Sequence, residues 1–221
     1  MDNISVCFDR GVPQISCTGC GSCSSVMGRS LCKVTDRGCC YYFPEFTLVD
    51  IQRMAVMENG LKALNIILSN PDTIIHNYSI HAKGAFDKEA YDQYIESGNL
   101  IDSGSIKDHT IFFKTCPFVI PGSGCKLSPR FRTLVCNMFI CSEILEQPDL
   151  QKTVKAYLDE RSRYARWEYQ ENLNLQHILT ENRLNLVSDF VACVKLLSEL
   201  SLELYEFPVF EDMSYTPDLS A

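Results

Sequence analysis

The cysteines constrain this chain more than any other feature. There are twelve in 221 residues: seven between Cys7 and Cys40, none until Cys116, four from Cys116 to Cys141, and one alone at Cys193. With 46% hydrophobic residues the chain can bury a core of its own, and its cysteine density lies below that of small disulfide scaffolds. The thiols are therefore not needed as staples. Their distribution implies two ligand-bearing segments that either meet in space or hold separate centres.

Charge and hydropathy narrow the setting. A formal net charge of -8 argues against a phosphate backbone or an anionic membrane as partner, so neither nucleic-acid nor membrane binding is expected. The first 21 residues lack the apolar run of a secretory signal, and no apolar stretch approaches the roughly 20 residues of a membrane span. A soluble, cytoplasmic protein is the expectation. In a reducing compartment a cysteine-rich chain points to metal, cluster or thiol redox chemistry rather than to disulfides.

In the first segment, Cys17-Thr-Gly-Cys20-Gly-Ser-Cys23 sets three thiols at three-residue intervals with Gly19 and Gly21 between them. Glycine admits left-handed backbone, so consecutive sulfurs can converge while amide N–H groups turn toward their charge. Cys32 and the doublet Cys39-Cys40 follow, and adjacent cysteines can serve different centres. The second segment carries Cys116, Cys125, Cys136 and Cys141 in a loop punctuated by Pro121, Gly122, Gly124 and Pro129. Lys126, Arg130 and Arg132 could offset the roughly -2 charge of a tetrathiolate around Zn²⁺ or a four-iron cluster. The candidate ligands are thus Cys17, Cys20, Cys23, Cys32, Cys39, Cys40, Cys116, Cys125, Cys136 and Cys141. Cys193 sits on an apolar helical face and reads as a core residue, and Cys7 is undecided. His76, His81, His109 and His177 are isolated from the thiols and read as surface or satisfied core residues.

Between the segments the pattern is mostly helical. Thr47-Leu48-Val49-Asp50 has capping-box form with a stop at Gly60, residues 61–68 form a second short helix, and Asp87 caps a third that closes at Gly98. Residues 110–113 read as a short strand. Pro148 opens a long amphipathic helix with Asp159, Glu160, Arg161 and Arg163 on its polar face, and a second runs over 188–205. Tyr164, Trp167 and Tyr169 are expected to pack where the two helices meet. The fold expected is mainly α, with irregular cysteine-rich loops, little strand, and a C-terminal helical hairpin packed on the metal region. Residues 1–146 would form the cysteine-cluster domain and 147–221 the hairpin, which is also the face open to a protein partner.

The pattern of Cys17, Cys20, Gly21 and Cys23, then Cys116, Cys125, Arg132, Cys136 and Phe139, resembles the YkgJ-type cysteine-cluster proteins. These are described as zinc- or iron-chelating domains, and flagellin lysine-N-methylases carry a related cluster. The resemblance covers residues 17–141. It departs at Ser24, where the family continues with a cysteine doublet, and at Arg132-Thr133, where the family has Arg-Pro. It implies a thiolate-bound iron–sulfur cluster or zinc, and iron–sulfur is favoured because the thiols are loop-borne and irregular rather than paired in compact knuckles. A cluster-dependent protein-lysine methyltransferase and a thiol redox protein are the alternatives. No phosphate-cradling loop, nucleophile elbow or H-E-x-x-H motif is present.

Overall fold

A computed structural model describes residues 2–17, 25–98, 101–103, 106–210 and 213–215. Its content is 46% helix and 14% strand, in several small antiparallel sheets, so the architecture is mixed α/β rather than mainly α. An N-terminal hairpin, β1 (Asp2–Asp9) and β2 (Val12–Cys17), turns at Arg10-Gly11, both at positive φ, and β10 (Met213–Tyr215) pairs with β1 from the far end of the chain. A second sheet has the order β3 (Glu45–Phe46), β5 (Ile80–Ala82), β4 (Thr73–Ile75). Two-residue strands complete the set: β6 (Ala85–Phe86) with β7 (Lys114–Thr115), and β8 (Val119–Ile120) with β9 (Gly124–Cys125).

The helices begin where local chemistry places them. Thr47 caps α1 (Leu48–Val56) with Asp50 completing the capping box, and Asp87 caps α3 (Lys88–Ser97), which ends at Gly98 with φ +65°. Gly60 does not stop the first helix; it opens α2 (Gly60–Leu68), where a side chain would overlap the Met54 backbone. Residues 109–113 form a 3-10 turn rather than a strand, because Asp108 caps it through the Thr110 N–H and buries Ile111, Phe112 and Phe113 as a block. After the short helices α4 (Leu134–Asn137) and α5 (Ser142–Leu145), α6 (Gln151–Glu181) and α7 (Phe190–Glu199) close the chain.

These last two helices are not a hairpin zipped along its length. α7 packs chiefly on α1, and α6 lies across α1 as well. Asn172 of α6 accepts from the Leu48 N–H at 2.8 Å, adding a second cap to α1. The main core therefore joins Phe46, Ile51, Met54 and Ile67 to Leu179, Cys193 and Leu197 across the 146/147 division. Cys193, 0% exposed, is the core thiol the sequence suggests. Tyr164 and Trp167 stack on each other and meet Tyr205 and Phe207 of the following segment rather than α7, while Tyr169 stays exposed. A second apolar cluster gathers Ile4, Met138, Ile140 and Tyr157, with Cys17 and Cys141 at its border. Among the described residues no helix is long and apolar enough to cross a membrane.

Candidate metal centre

Four thiols come together from three stretches of chain. Cys40 ends a tight turn made by Asp36 and Gly38, both at positive φ, and its carbonyl accepts from the Cys116 N–H at 2.9 Å. That hydrogen bond clamps the two cysteine-bearing segments to each other across 76 positions of sequence. Behind Cys116, Gly84 lies against the Thr115 carbonyl and Pro117 so closely that a side chain would overlap them. The β8–β9 hairpin then returns Cys125 beside Val119. Its turn, Ile120-Pro121-Gly122-Ser123, carries proline at the second position, glycine at φ +68° at the third, and a closing hydrogen bond of 2.9 Å. Cys136 stands in the first turn of α4, whose cap residue Thr133 accepts from the Cys136 N–H and donates its hydroxyl to the sulfur at 3.3 Å.

Each of these sulfurs acts electrostatically on the other three. Burial, joined by the thiols of Cys136, Cys125 and Cys40, pushes Cys116 up to about 12. Cys136 reaches solvent as a residue, yet its sulfur lies deep enough among protein atoms that burial is the leading cause of a rise to about 11; Cys125, Cys40 and the carboxylate of Asp50 add to it. Burial also raises Cys40, against the pull of Arg132 and Arg37. The Leu127 N–H points at the Cys125 sulfur at 3.4 Å. Two guanidinium groups, a hydroxyl and a backbone N–H thus surround this group of thiols. As positioned, no three His, Cys, Asp or Glu side chains among the described residues converge closely enough to hold a metal ion.

The remaining candidates lie elsewhere. Cys39 faces Tyr41 and Arg37, and Cys32 is hydrogen-bonded to Ser30 and Thr115. Cys17 ends β2 and Cys141 precedes α5, both against the second apolar cluster; Cys20 and Cys23 fall outside the described residues. Of the three loop cations, Arg132 faces Cys40, Arg130 is bound to Asp9 at 2.8 Å, and Lys126 is exposed. His109 is satisfied by Tyr94 and Ser103, and His177 pairs with Glu181 on α6.

Sequence reasoning missed a buried polar cluster beside the thiols. Asp50, Arg53 and Glu168 are each at least 94% buried between α1 and α6, with Arg53 paired to Asp50 at 2.7 Å. Burial, and then the Asp50 charge, push Glu168 up to about 8, and its Oε2 has no hydrogen-bond partner. A signal was available. Glu160 and Glu168 fall in helical register with Tyr157, Tyr164 and Leu175, on the buried stripe rather than on the polar face assigned to Glu160. Arg37, 2% exposed, was also overlooked because an arginine in a loop reads as solvated.

No protein-family model, curated protein or solved structure matches this chain.

Proposed function

We propose that the chain is a metal-binding protein of a reducing, cytoplasmic setting, in which Cys40, Cys116, Cys125 and Cys136 hold one centre as thiolates. The observation that carries this reading is that all four thiols, drawn from residues 40 to 136, act on one another within one partly buried site. Iron–sulfur is the favoured occupant and zinc the competitor. Thiolate-only ligation admits both, but these ligands come from a turn, a hairpin and a helix start rather than from paired CxxC knuckles. When bound, either group would supply the positive charge that lets the raised thiols of Cys40, Cys116 and Cys136 ionise together beside Cys125. The chain's own residues hold the site: the Cys40–Cys116 backbone link fixes spacing, Thr133 and the Leu127 N–H donate to sulfur, and Arg132 and Arg37 balance residual negative charge. Cys17, Cys20, Cys23 and Cys141 are proposed as a second group, supported by the CxxCGxC spacing and by the shared apolar border of Cys17 and Cys141.

Anaerobic purification followed by a visible spectrum and metal and sulfide analysis tests the reading. Iron with sulfide and a brown colour is expected, and zinc in a colourless protein selects the competitor. A fully folded protein without metal defeats both.

A further inference from the structure

His109 sits in the middle of a hydrogen-bonded chain that ties three stretches of sequence together. Its Nδ1 lies 2.7 Å from the Tyr94 hydroxyl on α3, and its Nε2 lies 2.8 Å from the Ser103 hydroxyl. Beyond these, the Ile101 N–H donates to the Tyr94 oxygen at 3.1 Å, and the Ser103 hydroxyl donates to the Ile106 carbonyl at 2.9 Å. The chain runs along an apolar cluster in which Ile111, Phe112 and Phe113 are buried and Tyr91, Ile101 and Ile106 pack against them.

The two ends of the chain fix every hydrogen between them, because a backbone N–H only donates and a carbonyl only accepts. Ser103 has committed its one hydrogen to Ile106, so its oxygen accepts from His109 and the ring carries its proton on Nε2. The neutral ring then offers Nδ1 as an acceptor, which the Tyr94 hydroxyl fills. A second proton upsets this order, since both ring nitrogens of an imidazolium donate. The phenolic hydrogen of Tyr94, conjugated with its ring, lies in the ring plane, where the oxygen offers two positions. With Nδ1–H at one and the Ile101 N–H at the other, the phenol's own hydrogen has no place. A contact from a charged donor is the stronger of the two, so the Ile101 N–H is the one displaced.

We infer that His109 is an acid-sensitive staple: neutral, it holds the loop of Ile101 and Ser103 to α3, and on protonation it ejects the Ile101 N–H from Tyr94. The staple is complete above the ordinary imidazole range and opens as pH falls through it. Its neighbours carry little charge into the cluster. Lys88, Glu89, Asp92 and Glu96 of α3 are exposed, as are Asp102 and Lys107 of the loop, and Asp108 beside it pairs with Lys114 at 3.7 Å. Tyr41 and Tyr91 are the other titratable side chains packed there. The turn that His109 opens also gives its Ile111 carbonyl to Arg37 and its Phe112 carbonyl to the Leu31 N–H, so the staple bears on the segment that leads to Cys39 and Cys40.

The test uses the full chain as purified. Long-range proton–nitrogen NMR at about pH 7.5 should show His109 as the Nε2–H tautomer; the Nδ1–H tautomer overturns the inference. The Ile101 amide, followed by hydrogen exchange corrected for the intrinsic effect of pH, should exchange about fivefold faster at about pH 5 than at about pH 7.5, the factor that one hydrogen bond of ordinary net strength supplies. His109→Gln keeps a donor toward Ser103 but does not titrate, so it should remove this difference, and Tyr94→Phe should leave Ile101 in fast exchange at both pH values. Ile101 exchange that does not change with pH in the parent chain sinks the staple, as does a pH dependence that survives in His109→Gln. The tautomer and the parent's own pH dependence decide the matter even where a variant does not fold.

Discussion

Two regions of this molecule bury ionisable groups, and they solve the problem differently. Between α1 and α6 the acids Asp50 and Glu168 share one cation, Arg53, supplied by the chain. In the loops around Cys40 and Cys116, four thiols press on one another with guanidinium groups only at the border. The first cluster is nearly closed, short by one partner at Glu168 Oε2. In the second, Arg132 and Arg37 only oppose the rise that burial gives Cys40. The contrast follows from ordinary acidity. A buried carboxyl is ionised near neutrality unless strongly perturbed and so requires a fixed counter-charge, whereas a buried thiol rests neutral until a metal displaces its proton.

The largest effect should come from Cys125→Ser. If the loop site depends on a metal, this change abolishes stoichiometric metal and removes metal-linked stabilisation, which reaches about 10 kcal/mol in structural thiolate sites. Metal analysis and thermal unfolding with and without chelator measure it; unchanged metal content breaks the comparison at its second member. Arg53→Met attacks the first member. Removing the one cation beside these buried acids should destabilise by about 3–5 kcal/mol in urea unfolding at pH 7, and a loss below about 1 kcal/mol would mean that Asp50, like Glu168, is already neutral there.

Titration sharpens the same point. Glu168 is raised from the ordinary carboxyl range to about 8, so between about pH 4.5 and 8 the folded chain keeps a proton that the unfolded chain has released. Stability should therefore fall as pH rises through that window and level off above it. Asp50, raised by the same burial, acts in the same direction. Glu168→Gln should flatten the slope and stabilise the chain at pH 8 relative to the parent; parallel pH profiles would sink this assignment. The smallest effect is expected from Thr47→Ala, which removes a cap hydrogen bond to the Asp50 N–H and should cost about 1 kcal/mol in the same unfolding assay.

Helix starts with local chemistry were legible in the sequence. Thr47 with Asp50, Asp87 with Gly98, and the stripe that buries Cys193 each encode their answer within a few residues. Residues 109–113 misled because three consecutive apolar residues suit a strand as well as a 3-10 turn, and the deciding bond came from Asp108. The proportion of strand was underestimated for a related reason. β3, β6, β7, β8 and β9 are two residues each, too short to show alternation, and exist only because a distant partner lies alongside. β10 lies more than 200 positions from the β1 residues it pairs with.

The candidate thiols could be named from spacing, but not sorted. Cys39 and Cys40 are neighbours in sequence, yet Cys40 meets Cys116, Cys125 and Cys136 while Cys39 turns toward Tyr41. Cys32 reads as one more cysteine of the first segment until Ser30 and Thr115 are placed beside it. By itself, the sequence determined that this chain would carry many thiols in two segments, a self-sufficient apolar core and well-capped helices, because composition and caps act locally. Which thiols lie near one another, and which carboxyls are sealed between α1 and α6, were decided only by the tertiary structure. Electrostatic interactions in a low-dielectric interior depend on separations that folding sets, not on positions along the chain.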